Sequence, residues 1–85
     1  MDNTKENKVK DYNIIVNARE KMWLHDEINF DEVVVLAFGL VQNTISYTVT
    51  YKKGHGSKPE GIMVKGDSVK VHDGMLFNVT QTSRS

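Results

Sequence analysis

Eighty-five residues allow one small domain, which buries only about 60% of the surface its unfolded chain exposes and leaves no room for a deep catalytic cleft. Eleven basic residues balance eleven acidic ones, which argues against a dedicated nucleic-acid or membrane-surface binder, and the absence of cysteine excludes a disulfide, a thiolate metal site and a catalytic thiol. Hydrophobic residues at 39% suit a globular domain, no apolar run approaches the ~20 residues that cross a bilayer, and the opening residues lack the apolar stretch of a secretion signal, so a cytoplasmic location is expected.

Residues 1–10 are almost wholly polar, and a flexible lead-in is expected there. The β-branched and aromatic residues at 12–16 predict a strand, residues 17–20 a turn, and residues 21–24 a second strand closing a hairpin. Residues 28–39 carry helix punctuation at both ends. Asn29 is placed to cap, Glu32 to reach back to the cap's amide, and Ile28 to staple against Val33, while Gly39 supplies the left-handed residue that stops the helix. Phe30, Val33, Val34, Ala37 and Phe38 then form one apolar stripe.

The clearest strand signal is residues 45–51, with Ile45, Tyr47, Val49 and Tyr51 on one face and Ser46, Thr48 and Thr50 on the other. Three glycines and the single proline mark residues 52–61 as a loop. Short extended pieces follow at 62–64 and 68–71, and the last strand is placed at 75–80, with Met75, Phe77 and Val79 facing the core and Leu76, Asn78 and Thr80 facing out. The order ββαβββ around one helix predicts an α+β, β-grasp fold: a mixed sheet with the helix on one face and the first and last strands parallel at its centre. The domain is expected to span residues 11–80, followed by a flexible tail at 81–85.

Few residues suggest chemistry. His25, His55 and His72 lack ligand spacing, so neither a metal nor another cofactor is expected. Asp26, Glu27, Asp31 and Glu32 suit the positive end of the helix dipole. The loop at 54–61 lacks the order of a phosphate-binding loop, and Lys52, Lys53 and Lys58 with Tyr47 and Tyr51 make only a modest basic and aromatic patch. No enzyme and no nucleic-acid partner are expected. Trp23, beside Met22 and Leu24 on the second strand, and Leu76, with Lys52 and Lys53, are instead candidates for a partner-binding surface.

Residues 58–61, 64–66, 69–71 and 73–80, with the segments 33–39 and 47–51, resemble the bacterial ubiquitin-like proteins of the multiubiquitin type over most of the chain from Tyr12 onward. That resemblance implies a ubiquitin-like β-grasp protein modifier of bacterial antiviral defence operons. Its C-terminal carboxylate would be activated by an E1-like activating enzyme, passed to an E2-like conjugating enzyme, joined to target proteins and released by a deubiquitinase-like peptidase. The carried-over tail is Thr82, Ser83, Arg84 and Ser85, with Ser85 bearing the carboxylate and Arg84 a recognition charge. Ubiquitin-like tags usually finish in Gly-Gly, which threads narrow channels, whereas residues 81–85 carry a side chain throughout. Partner enzymes with a wider channel, trimming by a peptidase, or a domain that binds partners without conjugation each fit that departure. The alternative functions are thus a non-covalent β-grasp interaction domain and a sulfur carrier.

Overall fold

The computed structural model describes residues 11–54, 56 and 59–83. Seven strands and one helix are found among them: β1 (Tyr12–Val16), β2 (Arg19–Trp23), β3 (Glu27–Asn29), α1 (Phe30–Phe38), β4 (Ile45–Lys52), β5 (Gly61–Met63), β6 (Ser68–Lys70) and β7 (Leu76–Ser83). Five strands form the main sheet in the order β2-β1-β7-β4-β5, with β1 parallel to β7 and the other pairs antiparallel. This is the mixed β-grasp sheet expected, and α1 covers one face.

The helix packs where its stripe predicts. Phe30, Val33 and Val34 are buried in one cluster with Ile14, Val16, Val49, Met63, Phe77 and Val79 from the sheet and Met75 just before β7. Burying each such side chain contributes roughly 1.5–3 kcal/mol, so this cluster supplies most of the drive to fold. Phe38 is the exception within the stripe: it sits at the end of the last turn, 39% exposed, with its ring 5.9 Å from that of Tyr47.

Several boundaries differ from those the sequence suggests. The first turn has only two residues, Asn17 and Ala18, both left-handed (φ 52° and 70°), and this tight reversal lets β2 begin at Arg19. Such a pair matches the twist of antiparallel strands. The helix begins at Phe30, directly after its expected cap Asn29 (φ −105°, ψ 172°), but the three residues before it, which the sequence does not mark as a strand, pair with β6 as a separate two-stranded sheet. Residues 68–70 therefore do not join the main sheet. The last strand runs to Ser83, three residues past the expected end, because the whole of β4 pairs with it from Ile45 opposite Ser83 to Lys52 opposite Leu76. Gly61 opens β5 where a Cβ would lie 2.8 Å from the Tyr51 hydroxyl oxygen, so glycine permits the close approach of that ring.

Candidate functional site

The strand periodicity sorts the candidate residues onto two faces. Ile14, Val16, Tyr51, Phe77 and Val79 point to the helix, so Ile15, Leu76, Asn78, Thr50 and Lys52 point to the opposite, open face. Leu76 lies directly opposite Ile15 on one side and Lys52 on the other, and Ile15 in turn lies opposite Glu20. The row Glu20, Ile15, Leu76, Lys52 thus crosses four strands, with two half-buried aliphatic side chains between an exposed acid and an exposed base. Met22 and Ile62, 58% and 68% exposed, extend the apolar character of this face toward both sheet edges. Such a surface offers apolar contact with a charged rim.

Trp23 belongs elsewhere. It lies opposite Tyr12 on the helix side, packs against the core edge and is half-buried. Its indole Nε1 donates to the Glu27 carbonyl at 2.9 Å, and its ring meets that of His25 at 5.5 Å edge-on. With Val35 and Leu36 of α1 it lines a shallow groove of about 240 Å³. The structure therefore brings Leu76 and Lys52 together and separates Trp23 from them. Lys53 follows β4 in the left-handed region (φ 61°) and is exposed beside Lys52.

The basic and aromatic patch does not assemble. Tyr51 is buried in the core and Tyr47 half-buried on that same face, whereas Lys52 points to the other, and Lys58 lies outside the described residues. The Tyr47 hydroxyl oxygen accepts from the Gln42 N–H at 3.1 Å, which ties the ring to the loop after α1. Among the described residues no three His, Cys, Asp or Glu side chains converge as a metal site, and no helix is long and apolar enough to cross a membrane.

The C-terminal candidates divide at Ser83. Thr82 and Ser83 belong to β7, opposite Ser46 and Ile45, with the Thr82 side chain exposed; Arg84 and Ser85 lie outside the described residues. On the β1 side the ladder ends earlier. Ile15 and Asn17 donate to the carbonyls of Met75 and Phe77 at 2.9 and 3.0 Å. The Asn17 side chain then extends the ladder by one residue, accepting from the Val79 N–H at 2.7 Å and donating to its carbonyl at 3.0 Å. Beyond Val79 the end of β7 is held by β4 alone among the described strands.

Glu20, Ile15 and Ile62 are members of the open face that sequence reasoning missed. The signal was there for Ile15: in three consecutive apolar residues, Ile14, Ile15 and Val16, a strand must turn the middle one away from the core. No curated protein and no solved structure is a significant match to the chain. The family model for Multiubiquitin matches residues 12–83, and those limits are the first residue of β1 and the last of β7. A match that coincides with the whole β-grasp unit, from the first strand to the last, places this chain in the multiubiquitin family of ubiquitin-like domains.

Proposed function

We propose that the chain is a protein modifier rather than an enzyme, acting in the cytoplasm in bacterial antiviral defence. The observation that carries this reading is the family match across the β-grasp unit. Its last strand, β7, lies between β1 and β4 and leads the chain directly toward Arg84 and Ser85. In the proposed reaction a C-terminal carboxylate oxygen attacks the α-phosphorus of ATP and displaces pyrophosphate. A cysteine thiolate of the E1-like activating enzyme then displaces AMP to give a thioester, and an E2-like conjugating enzyme takes over the acyl group by thiol exchange. A target amine finally displaces the thiol, forming an amide. A deubiquitinase-like peptidase would hydrolyse that bond. Docking to these enzymes falls to the row of Ile15, Leu76 and Lys52, with Thr82 and Ser83 leading into the channel that Arg84 and Ser85 enter.

A second reading, non-covalent binding through the same open face, is favoured by one feature. Gln81, Thr82 and Ser83 are committed to pairing with β4, and a narrow enzyme channel would have to peel them away. Intact mass spectrometry separates the two readings. The chain is incubated with ATP and an E1-like enzyme from a defence operon that also encodes a multiubiquitin-type protein. The modifier reading expects an ATP-dependent thioester, sensitive to thiol reductant and lost when Arg84 and Ser85 are deleted. An unchanged chain mass, or an adduct that persists after that deletion, would overturn it.

A further inference from the structure

We infer that a notch beside the first half of β4 takes an extended peptide from another protein, with apolar side chains at alternate positions and a carboxylate. The notch lies at the edge of the sheet, on a different surface from the row at Leu76. Hydrogen-bond parity defines it. Odd-numbered residues of β7 direct their backbone groups to β1, as the bonds at Met75, Phe77 and Val79 require, so even-numbered ones face β4. Their partners are Ser46, Thr48, Thr50 and Lys52, which leaves the backbone groups of Ile45, Tyr47, Val49 and Tyr51 aimed the other way.

Strand β5 pairs with Val49 and Tyr51 and then ends. A turn at 64–67, closed by Asp67 N–H to the Val64 carbonyl at 2.9 Å and Val64 N–H to Asp67 Oδ2 at 3.0 Å, carries the chain away. Tyr47 is left with no strand opposite it among the described residues, where a continued β5 would have run. The Ile45 N–H is taken by the Gln42 carbonyl at 3.2 Å, which closes the far end. The vacant lane is about four residues long, roughly 13 Å at strand spacing. An added strand there satisfies backbone groups in the manner of sheet extension.

Beside this lane lies a recess of about 450 Å³ with a mixed lining, in which the apolar side chains of Phe30, Val41, Ile45, Tyr47, Met63 and Val64 stand beside the polar residues at 42, 43, 46 and 48. That volume is in the range of sites that hold small ligands or peptide side chains. A peptide residue opposite Tyr47 turns its side chain to the same face as the Tyr47 ring and into the recess. Among the described residues, Lys65 is the one charged residue lining it. Its contact with Asp31 is 3.4 Å long and exposed at both ends, a kind of pair that contributes little and exchanges readily. A peptide carboxylate can therefore take Lys65 over from Asp31, and this exchange is what favours an acidic occupant. A second copy of this chain does not fit: its β4, aligned antiparallel about Tyr47, would run into β5 where β5 covers Val49.

The test is selection of random twelve-residue peptides displayed on phage against the intact 85-residue chain. Recovered peptides are expected to carry β-branched or aromatic residues at alternate positions and at least one acid. Their addition should shift the amide resonances of residues 45–48 and 62–65 and slow hydrogen exchange at the Tyr47 amide. Lys65→Glu should weaken binding about three- to tenfold and, in a repeat selection, replace the acid by a base. Circular dichroism of the variant guards against unfolding, since Lys65 is exposed. Failure to recover peptides, resonance shifts centred on Leu76 and Asn78, indifference to Lys65→Glu, or dimerisation in sedimentation equilibrium would each overturn the inference.

Discussion

The Tyr12 hydroxyl donates to Asp26 Oδ1 at 2.7 Å, a bond that joins the start of β1 to the turn before β3. It holds the phenol above its ordinary value of 10.0, chiefly through that hydrogen bond, with smaller contributions from desolvation and from the charges of Asp26 and Asp73. A folded-state pKa raised in this way adds stability below the ordinary tyrosine value, and that contribution disappears as pH rises through the folded value. Replacing Asp26 by Asn should bring Tyr12 back toward 10.0, followed through its ring resonances in an alkaline titration. An unmoved titration would show that the bond is absent in solution. The tyrosine is visible in the sequence as a strand residue, but its partner is not, because fourteen residues and a hairpin separate them. Asn17 is similar. Its turn role is legible from residue type, whereas its amide bonding to Val79, 62 residues away, arises only when β1 lies parallel to β7.

At the scale of elements, α1 is the best-signalled part of the chain because its stop and start signals act locally. Asn29 Oδ1 accepts from the Glu32 N–H at 2.7 Å, and Glu32 Oε1 accepts from the Asn29 N–H at 2.9 Å, the reciprocal pair expected from the spacing. Gly39 ends the helix at φ 91°, its N–H donating to the Val35 carbonyl. Replacing Asn29 by Ala removes one bond and leaves the Glu32 amide unpaired, at a cost of about 1–2 kcal/mol. Urea denaturation should show a lower midpoint with an unchanged slope. The three valines Val33, Val34 and Val35 favour strands intrinsically, yet local caps and the stripe override that preference. Strands β3 and β6 were not legible as a pair. Each has three residues, too few for an alternation to show, and their register depends on Ile28 meeting Val69 across the fold.

For the whole molecule, the β4–β7 ribbon ties residues 81–83 into the domain. Truncation after Ser83 leaves every pair of that ribbon in place, whereas truncation after Thr80 removes the partners of Tyr47, Ser46 and Ile45. The longer deletion should cost about 1–2 kcal/mol of stability and the shorter one almost nothing, read as thermal midpoints by circular dichroism. Equal midpoints for the two truncations would place the end of the cooperative fold at Thr80. The amino-acid sequence by itself determined the helix and its limits, the core face of β4 and β7, and the β-grasp order of elements, since caps and side-chain alternation are written into neighbouring residues. Tertiary structure alone decided where β7 ends, which apolar residues share the open face, and that Trp23 lies apart from Leu76. These outcomes rest on pairing between residues far apart in the chain. A strand's length is set by its partner's reach, and a face by the sheet's register, so no local pattern around residues 81–83 could announce that β4 would hold them.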